Sequence, residues 1–85
     1  MQKILENKIQ ILKNMCFTYG VRRLYAIGSV VSDEFNKESD IDFLISFSDK
    51  LSVEEYTNNY FALHYQLQEL FNRKIDLVTE RTLSN

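Results

Sequence analysis

Eighty-five residues and 10.1 kDa leave room for one small domain, below the usual size of about 100–150 residues, so the core is thin and an oligomer or partner is expected to complete it. Ten Lys and Arg against twelve Asp and Glu give a net charge of −2, which excludes wrapping long nucleic acid through many phosphate contacts. The 45% hydrophobic and 26% charged composition excludes a disordered tail. The single cysteine, Cys16, excludes an internal disulfide. No apolar run approaches the ~18 residues of a membrane span. With no signal peptide the chain reads as cytoplasmic.

From Gln2 to about Tyr19, Leu5, Ile9, Leu12 and Cys16 recur at helical spacing, and Ile4, Ile11 and Met15 widen the stripe. Gly20 stands where a helix ends on a residue with positive φ. Val21 to Ile27 (VRRLYAI) is a β-prone run that stops at Gly28-Ser29, and Ser29 to about Phe35 is expected to form one or two helical turns. After the polar loop Asn36-Lys37-Glu38-Ser39, the run Asp40 to Phe47 alternates, with Ile41, Phe43, Ile45 and Phe47 on one strand face. Ser52 and Glu55 form a capping-box pattern ahead of a long helix striped by Tyr56, Tyr60, Leu63, Leu67 and Leu70. Lys74 to Thr79 (KIDLVT) is a third strand. The order of helices and strands predicts an α/β layer, with helices packed on one sheet.

Three acids stand where a strand would favour apolar residues. Asp40 and Asp42 leave the same face of one strand, about 7 Å apart at Cα. Asp76 interrupts the third strand between Ile75 and Leu77. Clustered carboxylates repel unless something positive lies between them. Taken alone, they could simply face water. Gly28-Ser29 changes the balance, because a glycine at a strand-to-helix junction lets a phosphate approach the backbone and the serine hydroxyl adds a donor. Acids for divalent metals together with donors for phosphate describe a nucleoside triphosphate site.

Gly28-Ser29, then Asp40-x-Asp42, then Asp76 in an I-D-L-V strand, resembles the minimal nucleotidyltransferase (MNT) domains of the DNA polymerase β-like superfamily. The run Tyr19-Gly20-Val21-Arg22-Arg23-Leu24-Tyr25 is also similar to that family's entry into its first strand. The resemblance implies a single nucleotidyltransferase domain over residues 1–85, an α+β fold with a small mixed sheet and helices packed on it. It implies that Asp40, Asp42 and Asp76 hold two Mg²⁺ ions (or Mn²⁺), that Gly28 and Ser29 hold the β- and γ-phosphates of ATP, and that Asp76 serves the attacking hydroxyl. It implies transfer of AMP to a tyrosine of a HEPN-domain toxin, with the chain as antitoxin.

The chain departs from the family's pattern in two places. Val30-Val31-Ser32 stand where an arginine commonly follows the Gly-Ser pair. Members of that family usually continue into a further C-terminal helix, so this chain is expected either to be shortened at Asn85 or to take that wall of the nucleotide site from elsewhere. The first departure keeps open a binder that neutralises its partner without chemistry. Adenylylation of a small-molecule hydroxyl is a third reading, and usually needs a second domain. His64, lacking companion ligands, and Cys16 are expected to pack, and Arg22, Arg23 and Lys74 to be solvated. Tyr60, Phe61, Tyr65 and Phe71 are expected to form an apolar partner surface.

Overall fold

The computed structural model describes residues 3–83. Alternation in the middle of the sequence sets the architecture. Strand β2 (Ile41–Phe47) buries every odd residue and leaves Asp42, Leu44 and Ser46 on the other face. Strand β1 (Val21–Ile27) pairs with it antiparallel, and β3 (Ile75–Thr79) pairs with it parallel, in the order β1-β2-β3. A register shift between Val21 and Arg23 inserts Arg22 as an extra residue, so Val21 and Leu24 both meet the buried face of β2.

The parallel pairing of β2 and β3 requires a crossover, which α3 (Val53–Phe71) supplies. Its start is fixed by the expected capping box: the Glu55 N–H donates to Ser52 Oγ at 3.1 Å and the Ser52 N–H to Glu55 Oε1 at 3.0 Å. Its stripe of Leu63, Leu67 and Phe71 packs with Phe43, Ile45, Ile75 and Leu77 in the core. Phe71 is thus a core residue rather than part of an exposed patch, and Tyr60 is half-buried, whereas Phe61 and Tyr65 are indeed exposed.

The expected first helix is interrupted. A short α1 (Lys3–Glu6) turns at Asn7-Lys8 into α2 (Ile9–Tyr19). The Lys8 N–H reaches back to the Leu5 carbonyl at 3.0 Å, a three-residue turn that breaks the four-residue ladder. Leu5 and Leu12 are buried, but Ile9 and Ile11 of the extended stripe are exposed. Gly20, at φ +72, ends α2 as its position indicates. A final short helix, α4 (Glu80–Leu83), follows β3 directly. No helix among the described residues is long and apolar enough to cross a membrane.

Candidate active site

Strand register brings the acids together. Ile27 of β1 is opposite Asp42 of β2, and Asp42 is opposite Asp76 of β3. Asp42 and Asp76 therefore leave the same face of neighbouring strands, the face turned away from the core, at the usual interstrand spacing of about 4.8 Å. Asp40 lies one residue before β2. Partial burial of Asp42, with Asp76 and Asp40 adding like charge, pushes its carboxyl above the ordinary carboxylate range.

Gly28 continues the row at the end of β1. It has φ +74, and a Cβ built there would run into the Asp42 carboxylate. The positive φ favours glycine, and any side chain there would displace the Asp42 carboxylate. The helical turns expected over Ser29 to Phe35 shrink to one 3₁₀ turn, Gly28–Val31. Val30 is fully buried and pins the turn to the core, and the Ser32 N–H closes it by donating to the Ser29 carbonyl at 3.0 Å. The Ser29 hydroxyl has no protein partner among the described residues and is available to an anion. Val31 is exposed where the family's arginine is expected.

Among the described residues no three His, Cys, Asp or Glu side chains are drawn tightly enough together to hold one ion as they stand. Asp40 instead has Lys74 Nζ at 3.9 Å. The donor set nonetheless suits divalent cations: Asp42 feels the like charge of Asp76 and Asp40, and a hard oxygen-seeking cation would offset that repulsion.

His64 and Tyr60, both on α3, take structural roles on β3. His64 Nε2 donates to the Ile75 carbonyl at 2.8 Å, and the Tyr60 hydroxyl to the Leu77 carbonyl at 2.6 Å. Arg22 and Arg23 form exposed ion pairs with Asp49 and Glu80. They border a cleft of about 470 Å³ at the far end of β2, apart from the acidic row. The contribution of Arg73 is not apparent from sequence. It reaches back to the loop before Asp40, and the available signal is an apolar Phe35 isolated ahead of a polar loop.

This fold and this row of acids define a nucleotidyltransferase domain. The model of the family described as nucleotidyltransferase domain matches residues 8–85, and the chain belongs to that family. Two proteins of Methanocaldococcus jannaschii, each bearing the provisional name protein adenylyltransferase, are 30% identical over 84 residues, covering 99% of this chain and 79% of their own. A solved structure described provisionally as a minimal nucleotidyltransferase superposes with TM-score 0.70 at 26% identity, over 96% of this chain and 80% of its own.

Proposed function

We propose that the chain transfers AMP from ATP to a tyrosine hydroxyl of a protein, that this protein is a HEPN-domain toxin, and that the chain acts as its antitoxin. Nucleotidyl transfer is the activity of the family. The protein acceptor is supported by the names of the relatives and by Phe61 and Tyr65, exposed on α3 where a partner can cover them. The observation that carries the reading is the row itself, with Gly28 against Asp42 and Asp42 in register with Asp76.

The proposed reaction runs along the strand order. In this reading Gly28 and Ser29 at the end of β1 would receive the β- and γ-phosphates, Asp42 on the central strand would lie by the α-phosphate, and Asp76 on β3 would serve the acceptor oxygen. Two Mg²⁺ or Mn²⁺ ions held by Asp40, Asp42 and Asp76 would supply Lewis-acid charge to the triphosphate and lower the pKa of the attacking hydroxyl. The acceptor oxygen bonds to the α-phosphorus, the bond to the bridging oxygen of the β-phosphate breaks, and pyrophosphate leaves toward β1. The hydroxyl proton passes to water on the Asp76 side.

The turn Gly28–Val31 carries no basic residue, and this favours a second reading in which the chain neutralises its partner by binding alone. Intact-mass measurement of the HEPN partner after incubation with ATP and Mg²⁺ separates the two. Transfer predicts a gain of one or more AMP groups. It also predicts a loss of at least about 100-fold in rate for Asp40→Ala, Asp42→Ala or Asp76→Ala, a barrier increase of about 2.7 kcal/mol. Double replacements should cost less than the product of the singles, because the acids act together. Binding alone predicts no mass gain, and full neutralisation by the triple mutant would overturn the enzymatic reading.

A further inference from the structure

We propose that Arg73 is a positioning residue that fixes Asp40 for metal binding by tying the loop ahead of β2 to the turn ahead of β3. The proposal rests on the reading of Asp40, Asp42 and Asp76 as metal ligands. Asp42 and Asp76 are held by the ladder between β2 and β3, which begins at Ile41 and Ile75. Asp40 lies outside that ladder and follows an exposed loop. Something else must hold it.

Arg73 supplies that hold. Its guanidinium donates to the Ser39 carbonyl at 2.8 Å and to the Asn36 carbonyl at 3.1 Å. The same guanidinium lies over the Phe35 ring, 4.6 Å from its centroid. The Ser39 carbonyl and the Asp40 N–H belong to one planar peptide unit, so fixing the first fixes the backbone from which the Asp40 side chain departs. The loop also braces itself: the Asn36 N–H donates to Ser39 Oγ at 3.0 Å and the Glu38 N–H to Asn36 Oδ1 at 2.8 Å. Next to Arg73, the Lys74 carbonyl accepts the Ile41 N–H at 3.1 Å, and the Lys74 ammonium approaches Asp40 at 3.9 Å.

Arginine suits this task better than lysine. A planar guanidinium can lie on Phe35 while its N–H groups reach the carbonyls, whereas an ammonium offers no plane for the ring. Asn72, in the left-handed region at φ 50, ends α3 and turns the chain so that Arg73 meets the loop. Arg73 thus aligns the third ligand with two that the sheet already holds.

Titration of the protein with Mn²⁺ alone, followed by electron paramagnetic resonance, tests this against unfolding temperatures measured without metal. Arg73→Met should weaken Mn²⁺ binding by about 10–100-fold, the range for residues that orient metal ligands. Arg73→Lys should recover part of that loss. A purely structural Arg73 would lower the unfolding temperature and leave the Mn²⁺ affinity of the folded protein unchanged, which overturns the proposal. Should Arg73→Met not fold, Arg73→Lys decides: weaker binding than wild type supports the proposal, and wild-type affinity overturns it. Asp42→Asn is the control on the site. If it loses Mn²⁺ while Arg73→Lys keeps wild-type affinity, only the role of Arg73 fails. If it binds Mn²⁺ as wild type does, the metal-site reading fails too.

Discussion

Asp42 is the residue at which the fold most disfavours a charge that the proposed function needs. It lies between Gly28 and Asp76, partly removed from water and beside two like charges, and its carboxyl is harder to ionise than usual. The folded state therefore holds the Asp42 proton more tightly than the unfolded state. The corresponding stability is fully present below the ordinary value of 3.8 and is lost as pH rises through the raised folded value. At pH 7 without metal, Asp42→Asn should melt at a higher temperature than wild type, and the gap should close as pH falls below 3.8. Thermal melts across that range check this, and a lower melting temperature for Asp42→Asn at pH 7 would assign Asp42 a structural role. Not every part of the site is legible in the residues. Asp40, Asp42 and Asp76 stand out because acids are poor choices in or beside a strand, and Gly28-Ser29 because a glycine and a hydroxyl at the end of a strand leave room and a donor for an anion. Arg73 does not, because an arginine in a turn is ordinary and its partners are backbone carbonyls 34 and 37 positions away.

Elements with a sustained period are the ones that sequence resolves. β2 alternates through seven residues, and α3 repeats its stripe over about four turns with a capping box at its start. The four-residue turn Gly28–Val31 is too short to show a period, and the chain's β-branched valines there do not distinguish 3₁₀ from α. The stripe from Leu5 to Cys16 runs through the Asn7-Lys8 break without changing phase, so only the backbone hydrogen bonds reveal it. Because α3 is the crossover that makes β3 parallel to β2, its cap bears on the whole site. Ser52→Ala should cost about 1 kcal/mol, lowering the melting temperature by about 4–8 °C in a domain of this size. The Ser52 N–H bond holds the Glu55 carboxyl below the ordinary value of 4.5, so its contribution is present above that value and is lost as pH falls through the lowered one. The melting difference between wild type and Glu55→Gln should therefore shrink in acid; a difference independent of pH would mean that the cap's carboxylate does not contribute.

At the scale of the molecule, one sheet face builds the core and the other presents the acidic row of the proposed site. Helices cover the first through Leu12, Leu63, Leu67 and Phe71, while the second keeps Asp42 and Asp76 in register beside Gly28. That division leaves three carboxylates to repel a triphosphate unless cations intervene. Isothermal calorimetry of ATP binding, with Mg²⁺ and again with EDTA, tests the central claim most directly. ATP should bind measurably with Mg²⁺, bind much more weakly in EDTA, and lose its metal-dependent part in Asp42→Asn and Asp76→Asn. Equal affinity with and without the metal would contradict the assignment of this face as a metal-dependent nucleotidyltransferase site.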